Sequence, residues 1–313
     1  MCKIRRLFTE SPLTSAPRSG INKEKQMQTE NQTMAFASGP LEPTDFLDPR
    51  CPFCTDAWAK EPPAHPIDAD RVLARLDEYF SRNDMPAAER HLAYWLAEAE
   101  EGRDLVGQFL LRNERIGLFR KQGRGPEALA EAEKTVALAE RLGIADELGG
   151  ATALANQATA MKAFGMAREA LPVFRRALAV YEHAPNADPY RYAGVCNNAA
   201  LAFADCGEYA EARRLYARAM ALLGQIEGAG PEIAVTWLNL ANLAEAERGL
   251  EAAEGEIADC VERAWDLLDR PDTARDGNYA FVCEKCAPTF HYYGYFLWGA
   301  ELEERARAIY ERT

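Results

Sequence analysis

Apolar and small residues recur along this chain at the spacing of one helix face, in runs of about fifteen residues broken by short turns. From residue 67 onward the pattern predicts helix, turn, helix. A first pair spans about 68–82 and 85–101, and a second spans 104–121 and 126–142. Three more follow at 147–163 and 167–183, 189–205 and 209–225, and 231–247 and 250–268. The turns carry Gly123, Gly165, Gly207 and Gly249, which can supply the left-handed residue that ends a helix, and Pro126 suits the start of the next one. A last pair is placed by Ala306 and Tyr310, with its first helix reading through Thr289–Trp298 and extra length near Asp269–Tyr279. Strand-like alternation is absent.

The pairs are copies of one unit. Ala128, Ala170, Ala212 and Ala253 fall 42, 42 and 41 residues apart. Around three of them the text runs small, large apolar four residues on, small seven on: Ala170/Phe174/Ala177, Ala212/Tyr216/Ala219 and Ala253/Ile257/Cys260. Fourteen residues before these three stand Asn156, Asn198 and Asn239. A fixed period of this size means stacked supersecondary units, because no single pair can bury its apolar face alone. The expected architecture is an all-α, right-handed superhelical stack of helix-turn-helix repeats over 67–313, about six pairs, with an irregular N-terminal arm. Residues 1–43 lack any helical period and read as a disordered tail. Residues 44–66 hold too many prolines for a long helix. With Phe46, Leu47, Phe53 and Trp58, they are also too apolar for a solvated linker, so an extended arm packed on the body is expected.

These residues resemble tetratricopeptide repeats. Trp237-Leu238-Asn239-Leu240-Ala241 and Cys196-Asn197-Asn198-Ala199-Ala200 match the first helix of that unit, and Tyr209, Ala212, Tyr216 and Ala219 match the second. The long repeat and the Asn197-Asn198 pair are similar to the kinesin light chain variety. In pair two, Arg112 and Arg115 occupy places that the family fills with apolar residues. The resemblance implies a non-enzymatic interaction scaffold, with asparagines on the first helices pointing into a concave groove and hydrogen-bonding a bound peptide. The residues so implicated are Asn156, Asn198 and Asn239, joined on the same face by Asn113, Thr159, Lys162, Asn197 and Asn242. Tyr292 stands fourteen residues before Ala306 and, with Tyr295, is a candidate for an aromatic wall at the end of the groove. The other reading of the asparagines is internal, as ties between neighbouring helices. Arg120 and Lys121 are candidates for holding an acidic peptide end.

Charge narrows the partners. With 49 acidic against 36 basic residues the net charge is −13, which argues against nucleic acid and anionic membrane and for a protein or peptide ligand. The absence of a long apolar run argues against a membrane span, and the start lacks a secretory signal, so the cytoplasm is the expected compartment. A monomer or weak homodimer is expected. Catalytic patterns are lacking: five serines include no elbow motif, and the four histidines His65, His91, His183 and His291 are scattered. Two CxxC motifs, Cys51/Cys54 and Cys283/Cys286, offer a second reading as one shared structural zinc site with four thiolates, or as a thiol redox sensor. A third reading is a peptide-responsive regulator.

Overall fold

The structure is a computed structural model in which residues 63–312 are described. They form twelve α-helices: α1 (Ala69–Ser81), α2 (Met85–Glu101), α3 (Leu105–Lys121), α4 (Gly125–Leu142), α5 (Leu148–Ala163), α6 (Ala167–His183), α7 (Pro189–Asp205), α8 (Tyr209–Leu223), α9 (Gly230–Arg248), α10 (Leu250–Leu268), α11 (Gly277–Tyr292) and α12 (Phe296–Tyr310). No strand occurs among the described residues. The expected tail 1–43 lies outside these residues, as does the arm except for 63–66. There Ala64 N–H donates to Gly102 O (2.9 Å) and Ile67 N–H to Asp104 Oδ2 (3.0 Å), which fastens the start of the described chain to the α2–α3 turn.

Odd-numbered helices, here the A helices, pair with the even-numbered B helices that follow. Local sequence explains the boundaries. Asp68, Asp84, Asp104, Asp188 and Asp276 each cap a helix by accepting a backbone N–H of its first turn. Between A and B the chain turns through one left-handed residue, such as Gly207 (φ 77°). In the first pair Asn83 takes this role (φ 55°), a conformation that asparagine tolerates better than other side chains.

Small residues let the paired helices approach, and large ones fill the space beside them. Ala128, Ala170 and Ala212 are fully buried and Ala253 nearly so; Phe174, Tyr216 and Ile257 fill the core beside them. Pair two shows what its odd residues do. Arg112 Nη1 meets Glu131 Oε2 at 2.8 Å, Arg115 lies 3.6 Å from Glu131 Oε1, and Arg112 also pairs with Glu100 (2.5 Å). Glu131 is buried, so the arginines replace an apolar contact with a charge-compensated one between α3 and α4.

The last pair corrects the expected register. The segment Thr289–Trp298 is not one helix: it holds the end of α11, the turn at Gly294 (φ 85°) and the start of α12. Gly299, near the start of α12, occupies the first small position, and Ala306 occupies the second, seven residues later. The motif reads small at both places, so a shift of seven residues leaves the text looking the same. Fourteen residues before Gly299 is Lys285, so Tyr292 does not hold the asparagine place.

The stack also curves back on itself. A Cβ built on Gly277, at the start of α11, would lie 3.0 Å from Ser81 O at the end of α1. Lys121, at the end of α3, places Nζ over Phe80 of α1 (5.2 Å from the ring centroid) and over Phe281 of α11 (4.7 Å). The first and last A helices therefore meet, with an ammonium between their rings.

Candidate binding surface on the A helices

The row of asparagines is mostly turned inward. Asn113, Asn156, Asn197 and Asn198 are 1%, 6%, 3% and 3% exposed, and Thr159 is 3% exposed. Their hydrogen bonds run from one A helix to the next. Asn156 Nδ2 donates to Asn113 Oδ1 (2.9 Å), joining α5 to α3. Asn198 Nδ2 donates to Thr159 Oγ1 (3.3 Å), joining α7 to α5. Asn197 Nδ2 donates to Thr236 Oγ1 (3.1 Å), joining α7 to α9. Asn278 Nδ2 and Tyr190 Oη both donate to Glu232 Oε1 (3.0 and 3.1 Å), joining α11 and α7 to α9. The result is a buried polar ladder through α3, α5, α7, α9 and α11. For these residues the internal reading of the amides describes the geometry: Asn156, Asn197 and Asn198 donate to a neighbouring helix, and Asn113 donates to Phe109 O of its own helix (2.9 Å) while accepting from Asn156.

Asn239 differs. It sits in the same repeat position, is 9% exposed, and its amide has no hydrogen-bond partner among the described residues. A buried amide left without a partner costs about 1–3 kcal/mol, so such a group calls for an explanation. One turn further along α9 is exposed Asn242, whose Oδ1 accepts from Tyr293 Oη (2.9 Å). Glu245 accepts from Tyr292 Oη (2.6 Å) and Tyr293 Oη (2.8 Å). Burial and the Glu245 carboxylate raise the Tyr293 pKa above its ordinary value. Tyr292 is 65% exposed. Tyr295 is half-buried, stacked on Trp298 (4.9 Å), which stacks in turn on Trp265 of α10 (4.9 Å). The aromatic run thus divides, with Trp298, Tyr295 and buried Phe290 closing the end of the core and Tyr292 facing outward. Lys162, near the end of α5, lies 3.5 Å from Asp205 of α7. Lys121 is engaged by the rings described above.

The cysteine readings meet a different environment. Cys283 and Cys286 lie inside α11, 0% and 2% exposed, and burial pushes both thiols up to about 12. Counted back from the first small residue of its pair, Cys283 holds the position that Cys196 holds in pair four, and burial pushes that thiol up to about 12 as well. A zinc ion would need these thiols displaced from the core and deprotonated. Cys51 and Cys54 lie outside the described residues, and no group of three or more metal-binding side chains is assembled among the described ones.

The sequence reading missed Tyr190, Thr236, Glu232 and Asn278 as ladder members. A signal existed: Tyr190 and Glu232 are 42 residues apart, polar at one repeat position near the starts of A helices.

The nested A–B pairs of the described residues, with small residues at each crossing, define an all-helical repeat protein. Within it, residues 109–183, covering most of α3 through α6, match the family model described as the tetratricopeptide repeat. Among solved structures, BtubC (BKLC) from P. vanneervenii is similar at 21% identity, with a TM-score of 0.52 over 63% of this chain and 78% of that one. The putative kinesin light chain nearly identical TPR-like repeats of Podosopora anserina align at 18% identity over 63% of this chain and 92% of theirs, with a TM-score of 0.45, and 0.46 for a variant form of the same repeats. At 21% identity the likeness to BtubC speaks for fold alone. No curated protein matches the chain. Tetratricopeptide repeat proteins are in general non-enzymatic scaffolds that bind other proteins. No helix among the described residues is long and apolar enough to cross a membrane.

Proposed function

We propose that this chain is an interaction scaffold that binds a peptide or a segment of a partner protein along the downstream part of its A-helix row, at Asn239, Asn242, Tyr292 and Tyr295, with Lys162 extending the surface upstream. The observation that carries this reading is the unpartnered amide of Asn239 beside exposed Asn242. An amide both donates and accepts, so it can satisfy the backbone of an extended peptide whatever its side chains. The ladder supports the reading in a second way: it spends the upstream amides on holding the A helices in place, which gives the open residues a rigid base.

The test begins with a partner captured from the native cell. Its affinity for the full chain is then measured for wild type and for Asn239→Ala with Asn242→Ala. Each lost hydrogen bond nets about 0.5–1.5 kcal/mol, so the double variant is expected to bind roughly 5- to 140-fold more weakly. Unchanged affinity would refute the assignment.

A further inference from the structure

The ladder contains a buried charge without a counter-charge. Glu232 lies in the first turn of α9 and is 3% exposed. Its partners are neutral: Asn278 and Tyr190 donate to Oε1, and its own backbone N–H leans on the carboxylate. No arginine, lysine or histidine pairs with it among the described residues. Buried Glu131, by contrast, is compensated by Arg112, Arg115 and Lys134. A carboxylate removed from water without a cation either takes up a proton or recruits a positive charge.

Glu232 also lines a half-open cavity of about 830 Å³ between the α8–α9 and α10–α11 turns. That volume falls within the range of small-molecule pockets. Asp272 and Asp276 add negative charge to its wall, and the one lining arginine, Arg270, is paired to Asp272 (3.2 Å).

We propose that this cavity binds an organic cation, an ammonium or guanidinium group seated against the Glu232 carboxylate. The group comes either from a free small amine or from a lysine or arginine side chain of a partner protein. Asn278 and Tyr190 hold the carboxylate in place, and the acidic wall favours the positive end of the ligand. The site lies toward the opposite end of α9 from Asn242 and Tyr292, so it is independent of the peptide surface. A failed test here leaves that surface standing.

The experiment is calorimetric titration of the full chain with agmatine, with putrescine, and with a capped peptide carrying one lysine and one arginine. At least one probe is expected to bind saturably. Glu232→Gln is expected to weaken that binding tenfold or more, and Asp276→Asn to weaken it less. Glutamine keeps an acceptor for Tyr190 and Asn278, and asparagine keeps the cap of α11, so both variants should melt cooperatively. Should Glu232→Gln fail to fold, the Asp276→Asn comparison decides. Tighter binding of the free amines assigns the site to a small molecule, and tighter binding of the peptide assigns it to a partner's side chain. No binding by any probe, or equal binding by wild type and the variants, would overturn the proposal.

Discussion

Glu232 shows how one side chain reports on its surroundings. Burial raises its pKa, and nearby Asp276 pushes the same way; the Asn278 and Tyr190 donors and its own N–H oppose them. The folded pKa therefore lies above the unfolded value of about 4.3. The sign follows from linkage. The protonated form suits the folded state, so the contribution of this group to stability is greatest below the unfolded pKa and is lost as pH rises through the folded one. Glutamine mimics the protonated acid at every pH. The stability difference between Glu232→Gln and wild type, from thermal melts at about pH 4.5 to 8.5 without added amines, should therefore grow in favour of glutamine as pH increases. A difference independent of pH would show that the carboxylate is solvated or paired.

At the scale of elements, the repeat positions assign different duties to one residue type. Asn198 ties α7 to α5 through Thr159, whereas Asn239 has no such tie. Asn198→Ala should lower the unfolding free energy by about 1–3 kcal/mol, the cost of breaking a buried polar contact. Asn239→Ala should change it by less than about 1 kcal/mol. Denaturant unfolding of the two variants checks this, and a larger loss for Asn239 would reverse the assignment. The helices themselves were legible in the chain: the second pair, expected at 104–121 and 126–142, is found at Leu105–Lys121 and Gly125–Leu142. Apolar period, aspartate caps and glycine turns all point to the same boundaries there. The last pair was not legible in the same way. Gly299 and Ala306 are both small and seven residues apart, so the text alone does not say which comes first. The inward turn of the asparagines was open for a similar reason. Period puts Asn156, Asn198 and Asn239 on one face, but whether that face meets a neighbouring helix or a ligand depends on partners such as Asn113 and Thr159 on other helices.

At the largest scale, the described residues form a curved stack whose first and last A helices meet. Ser81 faces Gly277, and Lys121 lies between Phe80 and Phe281. None of these contacts is written in the repeat, because each joins pairs that are far apart in sequence and depends on the accumulated curvature of the stack. Closure brings the first and last A helices together and leaves the downstream end of the row, where Asn242 and Tyr292 are exposed, as the accessible polar and aromatic surface. On the proposed function, the buried ladder and this open end divide a single row of amides between structure and recognition. Titration of the isotope-labelled full chain with its captured partner, following the side-chain amide NMR signals of asparagine, tests that division most directly. The signals of Asn239 and Asn242 should shift with saturation while those of Asn113, Asn156 and Asn198 stay in place. Shifts confined to Asn113, Asn156 and Asn198, with Asn239 and Asn242 unmoved, would contradict it.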